Sequence, residues 1–486
     1  MNRQKQWLLL CLMLAGSGYS LLAAGQVFTL KTVPLTHPAN GDVLQVDNFL
    51  AVSGHDANKR WLSLIDLQDF STKIVTLPDN AQFFSKMKLA NKENEQLVFL
   101  TTQGIAVYNP TNNQSTPLLQ STSVHPVVDR KRFRQFDLAL DINDSGLSDL
   151  LIPDFTVYHL FVQANDGSFE HYQLPIDTQV EMWGKTPNFS PRKPYIVDIN
   201  LDGKNDVVFV RDGQLVSFLQ QADGRFAEQV QIMTPGMKIS LDNEANVRGG
   251  DGRSFDGLEI YRVHDFTDLN NDGRADLIIR REKFSSAVEQ NYNYRIHYGQ
   301  RSDSSLTFAT EPDAHINTSG IQFESIFADI NGDGRKDFYT PSASFGVGTI
   351  IRALISGTAN LDIQFYLMKD DGSFSNKPDH NQKATAEVSI THGRVDLPLF
   401  QVTSSAPDAP KNLILGEKQE RLRIHSHDEN RLFSTQSMRF NTPLPRDGSR
   451  VKVMDINGDG KDDLVLPFDA QDNEETRNQV RFLTVQ

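Results

Sequence analysis

One nine-residue pattern occurs five times in this chain, and it constrains the fold more than any other feature. It reads Asp141-Ile142-Asn143-Asp144-Ser145-Gly146-Leu147-Ser148-Asp149 in its first copy and Asp198-Ile199-Asn200-Leu201-Asp202-Gly203-Lys204-Asn205-Asp206 in its second. The third is Asp268-Leu269-Asn270-Asn271-Asp272-Gly273-Arg274-Ala275-Asp276. The fourth is Asp329-Ile330-Asn331-Gly332-Asp333-Gly334-Arg335-Lys336-Asp337, and the fifth Asp455-Ile456-Asn457-Gly458-Asp459-Gly460-Lys461-Asp462-Asp463. The first aspartates are 57, 70, 61 and 126 residues apart, the last interval being twice 63. Recurrence of this kind marks a repeated supersecondary unit. A length of 486 residues, which could otherwise make two to four unrelated domains, is therefore read as one array.

Each copy lies between short runs rich in β-branched and aromatic residues: 136–140 then 150–152, 195–197 then 207–210, 326–328 then 338–340. Runs of that length and composition predict strands. Downstream stands a second signature, Asp166-Gly167-Ser168-Phe169, Asp223-Gly224-Arg225-Phe226 and Asp371-Gly372-Ser373-Phe374. An Asp-Gly pair between apolar runs is a strong hairpin signal, because glycine accepts the positive φ of a tight turn. The distance from the last loop aspartate to this turn is 17 residues twice and 34 once, so one unit carries an insert of 17.

A unit is then strand, acidic loop, strand, strand, Asp-Gly turn, strand. Four-stranded antiparallel sheets repeated along one chain predict an all-β fold, a β-propeller. A degenerate unit without the acidic loop fits 397–440, and two more fit 84–118 and 43–77, which gives eight blades; seven is the alternative if one degenerate unit is misread. The last unit stops after three strands, at 480–485, while an unassigned strand, 27–32, precedes the first unit. Pairing those two would remove both free edges, so the N-terminal strand is expected to close the ring.

The loop places side-chain oxygens at positions 1, 3, 5 and 9, with a glycine at position 6 and the carbonyl of residue 7 free to turn inward. The candidate ligands are Asp141, Asn143, Ser145 and Asp149; Asp198, Asn200, Asp202 and Asp206; Asp268, Asn270, Asp272 and Asp276; Asp329, Asn331, Asp333 and Asp337; Asp455, Asn457, Asp459 and Asp463. Five or more hard oxygens suit Ca²⁺, and the absence of nitrogen and sulfur ligands makes zinc and copper poor candidates. Position 12 holds Ile152, Phe209, Ile279, Thr340 and Leu466 rather than the glutamate of a helical calcium hand, so these loops join strands. A turn rich in Asp and Asn that binds nothing would explain a single copy. Four loops with three carboxylates each and one with two, Ser145 being the exception, crowd like charges that need a cation. About five Ca²⁺ sites are expected, the first being the weakest.

These repeats resemble the calcium-binding FG-GAP or VCBS repeats of integrin α-subunits and many exported bacterial proteins. The resemblance covers about residues 136–486 and implies that the loop residues named above are ligands, acting structurally on the face away from the ligand site. A full Phe-Gly plus Gly-Ala-Pro cage is missing; Phe345-Gly346 is an isolated fragment.

Arg3 and Lys5, an apolar run at 7–15 and the small residues Ala23-Ala24-Gly25 read as a signal peptide over 1–24, leaving one propeller domain over 25–486. The run is too short to span a bilayer, and no later segment is long and apolar enough. Cys11 is the single cysteine and lies in the leader behind Leu8-Leu9-Leu10, unlike a lipid-anchored cysteine. The expectation is an exported protein, secreted, periplasmic or at the cell surface, with no disulfide or thiol chemistry. A net charge of −14 argues against nucleic acid as a partner.

Catalytic signatures such as Gly-x-Ser-x-Gly or His-Glu-x-x-His are missing. His264 beside Asp265 is a candidate base, with a core histidine as the plainer reading. Trp183 and Phe189 in 177–194, and Gly249, Gly250 and Gly252 in 235–258, mark irregular stretches between blades, and Tyr292, Tyr294 and Tyr298 alternate as a strand should. The insert 345–361, with Ile350, Ile351, Leu354 and Ile355, is either a hairpin packed on its own blade or an apolar partner contact. The function expected is a binding or adhesion scaffold for a protein or glycan. The alternatives are an extracellular polysaccharide lyase of the rhamnogalacturonan type, which eight-bladed calcium-rich propellers also resemble, or a cell-envelope assembly factor.

Overall fold

The structure, a computed structural model, describes residues 19–23, 26–125, 133–183, 186–227, 229–245, 254, 256–285, 290–303, 305–343, 355–389 and 394–485. Eight sheets, each built on four antiparallel strands, follow one another along the chain; the second also takes a short parallel strand, Arg134–Gln135. The first runs Val43–Val46, Phe49–His55, Arg60–Asp66, Thr72–Ile74. The second is Ala81–Met87, Gln96–Thr101, Gly104–Asn109, Gln114–Gln120, and the third Ala139–Leu140, Asp149–Pro153, Tyr158–Gln163, Phe169–Leu174. The fourth is Tyr195–Val197, Asp206–Arg211, Gln214–Phe218, Gln231–Met233. The fifth uses Glu259–Thr267, Asp276–Phe284, Gln290–His297 and Ala314–Ser319, and the sixth Ile326–Ala328, Asp337–Ala343, Thr358–Tyr366 and His380–Ser389. The seventh is Phe400–Thr403, Asn412–Glu417, Arg421–His425, Met438–Asn441.

The eighth blade closes the ring. Lys452–Met454, Asp463–Phe468 and Gln479–Val485 are joined by Gln26–Pro34, which pairs antiparallel with the last strand from Phe28 opposite Val485 to Pro34 opposite Gln479. The count of eight and the closure by the N-terminal strand agree with the sequence reading. Tyr19–Ala23, inside the segment read as a leader, pairs outside Gln26–Pro34 as a fifth strand.

Alternating apolar positions on both faces of each sheet explain why the blades stack. Eight apolar cores of buried side chains lie between consecutive blades, one for every neighbouring pair. The core across the seam joins Val33, Val465, Val480 and Phe482 of the eighth blade to Leu50, Val52 and Ile65 of the first. Burying side chains of this size contributes about 1.5–3 kcal/mol each, so the seam is held as the other interfaces are. First strands of the first and second, second and third, and fourth and fifth blades touch one another, which places first strands around the axis, while fourth strands such as Thr72–Ile74 are exposed at the rim.

Antiparallel order sends the first-to-second and third-to-fourth turns to one face of the ring. The second-to-third turns and the connections between blades go to the other. The acidic loops and the Asp-Gly turns therefore share a face, called here the loop face. Gly167, Gly224 and Gly372 adopt the positive φ expected of those turns, at 84°, 85° and 78°. Two small hairpins, Gln300–Ser302 with Ser305–Thr307 and His427–Asp428 with Leu432–Phe433, lie in third-to-fourth connections on the loop face, and the opposite, connection face carries further additions. Gln179–Trp183 and Thr186–Ser190 form a hairpin, Asp242–Ala245 is a short helix, and Arg394–Asp396 adds a strand to the sixth blade. Buried Arg192 ties two of these together, donating to Asp242 at 2.7 Å and to the carbonyl of Asp177 at 2.7 Å. Of the insert at 345–361, residues 345–354 lie outside the described residues, and 358–361 belong to the long third strand of the sixth blade.

Candidate functional site

All five acidic loops fold alike. The position-1 carboxylate spans the turn. Its Oδ2 accepts from the amide of the position-6 glycine, at 2.8 Å for Asp141 with Gly146, 2.7 Å for Asp198 with Gly203 and 2.8 Å for Asp268 with Gly273. The same bond is 2.9 Å for Asp329 with Gly334 and for Asp455 with Gly460. Oδ1 of the position-3 asparagine accepts from the amide of residue 5, at 2.9–3.2 Å for Asn143, Asn200, Asn270, Asn331 and Asn457. In the middle three loops the asparagine Nδ2 also donates to the carboxylate at position 5, at 3.0 Å for Asn200 to Asp202, 3.1 Å for Asn270 to Asp272 and 2.9 Å for Asn331 to Asp333. Side-chain oxygens from positions 1, 3 and 5 are thus gathered on one side of each turn.

Two residues per loop sit in left-handed conformation. One is the glycine at position 6. The other is position 4, occupied by Asp144, Leu201, Asn271, Gly332 and Gly458 at φ between 55° and 79°. Only the glycine at position 6 was legible from the sequence.

Position 9 does something the spacing did not reveal. Asp149, Asp206, Asp276, Asp337 and Asp463 are fully buried. In each, Oδ2 accepts from the amide of residue 2, at 2.8–3.1 Å for Ile142, Ile199, Leu269, Ile330 and Ile456. Oδ1 accepts from an amide at the end of the third strand, at 2.8–2.9 Å for Gln163, Gln220, Gly299, Met368 and Val485. The carboxylate clamps loop to blade.

Burial pushes these groups up to about 6 for Asp149, Asp206, Asp276 and Asp463, and to about 7 for Asp337. Their amide hydrogen bonds pull the other way, and the carboxylates at positions 1 and 5 add repulsion. Arg274 and Arg335 supply one cation each at the outer side of Asp272 and Asp333, at 2.5 and 2.7 Å. Three carboxylates against one such cation leave each of those loops with a net negative charge. Desolvated oxygens under mutual repulsion, with no nitrogen or sulfur donor among them, form a donor set that fits a hard divalent cation. Among the described residues no three His, Cys, Asp or Glu side chains already converge on one point. The position-1 and position-9 carboxylates of each loop are turned to backbone amides instead.

The other candidates resolve differently. His264 sits at a break in register between Val263 and Asp265, packed edge-on against Tyr294 at 5.1 Å and against Phe327 at 6.0 Å. Tyr292 and Tyr294 are buried in the core between the fifth and sixth blades, and the Tyr298 hydroxyl donates to the carbonyl of Gly372. Trp183 ends a strand of the connection-face hairpin, and Phe189 on its partner meets Phe155 edge-on at 4.8 Å. Gly249, Gly250, Gly252, Phe345 and Gly346 lie outside the described residues, as do Ile350, Ile351 and Leu354.

With the fold and loops in place, comparison with known proteins gives one family. The model of the FG-GAP-like repeat matches residues 268–340, which hold the third and fourth acidic loops. The chain is an eight-bladed β-propeller with FG-GAP-like repeat sequence at 268–340. No curated protein sequence matches it. Among solved structures it is similar to a lectin of Agrocybe aegerita that recognises non-reducing terminal N-acetylglucosamine, at 13% identity and a TM-score of 0.45, covering 84% of this chain and 93% of that one. It is also similar to a putative 6-phosphogluconolactonase of Bacteroides fragilis, at 8% identity and a TM-score of 0.33 over 84% of this chain and 97% of that one. A third is the V. cholerae biofilm matrix protein Bap1, at 12% identity and a TM-score of 0.28 over 84% and 89%. Likenesses this distant carry no information about ligands.

Proposed function

We propose that this chain is an exported, calcium-binding β-propeller that serves as a binding or adhesion scaffold for a protein or glycan. The observation that carries the reading is a division of labour between the two faces. The loop face holds the repeated acidic turns. The connection face holds six of the eight large apolar side chains that are exposed among the described residues: Phe155, Val180, Leu241, Phe323, Ile355 and Val395. Ile355 is the extreme, at 82% exposed. Such side chains on connections of one face, over a rigid ring, are what a partner surface requires.

Asp198, Asn200, Asp202 and Asp206, with their counterparts in the other four loops, would hold the cations. A bound Ca²⁺ supplies positive charge to these oxygens and no redox or hydrolytic chemistry. The chain's own residues keep the loop shaped for it. The position-1 carboxylate fixes the turn, and the position-9 carboxylate fastens the turn to the third strand.

Immobilised protein exposed to envelope extracts and glycan arrays, with about 10 mM calcium or with a chelator, tests the reading; the concentration is roughly tenfold above the weak end, about 10⁻³ M, of extracellular calcium sites. Retention that is lost on chelation and regained with calcium is expected. Identical retention in both conditions, or release of unsaturated products from pectin-type polysaccharides, would overturn it.

A further inference from the structure

The connection face has a second feature, at the axis of the ring rather than over the outer blades. A cavity of about 580 Å³ opens where three inter-blade connections meet. Its walls come from residues 40–43 leading into the first blade, 133–135 leading into the third, and 449–452 leading into the eighth, with His55 closing one side. Arg134–Gln135 runs parallel to Phe83–Phe84 as an extra strand on the inner edge of the second blade.

Fixed bonds hold the walls. Asn40 Nδ2 donates to the carbonyl of His55 at 2.8 Å, and Asn40 Oδ1 accepts from the amide of His55 at 2.8 Å. Asp42 accepts from the amide of Gln135 at 2.9 Å, tying the first-blade connection to the extra strand. Arg450 pairs with Asp469 at 2.7 Å and donates to the carbonyl of Ala39. Against these committed groups stand two cations in the lining, Arg134 and Lys452. Both are exposed, and neither has a side-chain partner among the described residues.

Three cations and one carboxylate line this cavity in a chain of net charge −14. The acidic loops lie on the other face; with Asp469 paired to Arg450, the lining keeps a surplus of one cation. A cavity of this volume falls in the size range of small-molecule sites, roughly 300–1,000 Å³. Its amide, hydroxyl and charged lining suits a hydroxylated ligand more than an apolar one. A guanidinium offers a planar fork to a carboxylate or phosphate, and the lysine adds a point charge.

We propose that the axial cavity is a binding site for an anionic sugar, a uronate or a sugar phosphate, recognised through Arg134 and Lys452. This deepens the scaffold reading by naming a ligand class for one part of that face, and it rests on that reading only for its biological setting.

The test is titration calorimetry on the full chain in calcium, with galacturonate, glucuronate, digalacturonate and glucose 1-phosphate, and with galactose and glucose as neutral counterparts. At least one anionic sugar is expected to bind tenfold or more tightly than its neutral counterpart, and raising NaCl should weaken it several-fold through screening. Carboxylate and phosphate arms distinguish the two sources of charge, and the dimer distinguishes a free sugar from a chain end. The double variant Arg134→Gln, Lys452→Gln should lose that binding by tenfold or more with an unchanged melting curve, both side chains being exposed. Lys383→Gln, on the rim of the sixth blade, should leave binding unchanged. Equal binding of neutral and anionic sugars, no binding of any, or full binding by the double variant would overturn the proposal. Calcium-dependent capture surviving such a failure would leave the scaffold reading standing, and loss of capture with sugar binding intact would remove only the scaffold reading.

Discussion

Gln220 donates its backbone amide to Asp206 Oδ1 at 2.8 Å across 14 residues of chain, while the other oxygen of the same carboxylate takes the amide of Ile199 at 3.1 Å. One buried side chain thus joins the acidic loop to the third strand, and the arrangement repeats in four more blades. Removing it strands two amides that are themselves buried, since Ile199 and Gln220 are each 3% exposed. Each unsatisfied buried donor costs about 1–3 kcal/mol. Asp206→Ala should therefore lose about 2–5 kcal/mol in urea unfolding whether calcium is present or chelated. Asp202→Ala, at an exposed position, should lose stability only in calcium. Equal behaviour of the two variants in chelator would contradict the clamp.

Ser145 stands where the other loops have a carboxylate, so the first loop offers one charge fewer to a cation. Native mass spectrometry across a calcium titration should show the last ion adding at the highest concentration. Ser145→Asp should bring that last step into line with the others and raise the melting temperature in calcium, by the linkage between ligand occupancy and stability. In chelator the variant should be no more stable than the parent, because it adds a like charge beside Asp141.

The acidic loops were legible because everything that defines them lies within nine consecutive residues, and local spacing is what a sequence displays. The three blades without loops, beginning at Val43, Ala81 and Phe400, were still readable from strand order, since each interblade core needs apolar residues at alternate positions. Two features escaped. The clamp by Asp206 needs an amide 14 residues away, at a distance fixed by blade geometry and stretched to 31 residues between Asp337 and Met368. The axial cavity is assembled from residues near 40, 134 and 450, which no local pattern connects. The one available signal was compositional: Arg130-Lys131-Arg132-Phe133-Arg134 is a basic run in an acidic chain.

Phe28 anchors the ring-closing strand on its seventh-blade side, 2% exposed and 5.7 Å from the ring of Phe440. Truncating a buried phenylalanine leaves a cavity costing about 3–5 kcal/mol. Phe28→Ala should reduce unfolding stability by that amount and leave the parent's state of association unchanged. Deleting residues 19–34 should do something different in kind. It uncovers the whole edge of Gln479–Val485, whose pairing with Gln26–Pro34 closes the ring, and an open edge recruits strands from other molecules. Light scattering should then report association that rises with concentration. A deletion variant with the parent's state of association and stability would mean that the ring does not depend on this closure.

His264 gives the ring a dependence on pH. Burial beside Tyr294 and Phe327, with Arg280 and Lys193 adding repulsion and Asp265 opposing it, holds the imidazole down at about 4. In the unfolded chain the same group titrates near 6.5. Above pH 6.5 neither state binds the proton, and the histidine adds no penalty. As pH falls from 6.5 towards 4 the unfolded chain takes up a proton that the folded ring refuses, so stability drains away, on the order of 3 kcal/mol at most over that window. His264→Gln removes this one titration and leaves the other groups in place. The difference in unfolding free energy between parent and variant should be flat from pH 8 to 7 and then shift in the variant's favour down to pH 4.5. A difference that stays constant across the whole range would show that His264 is protonated as readily in the fold as outside it.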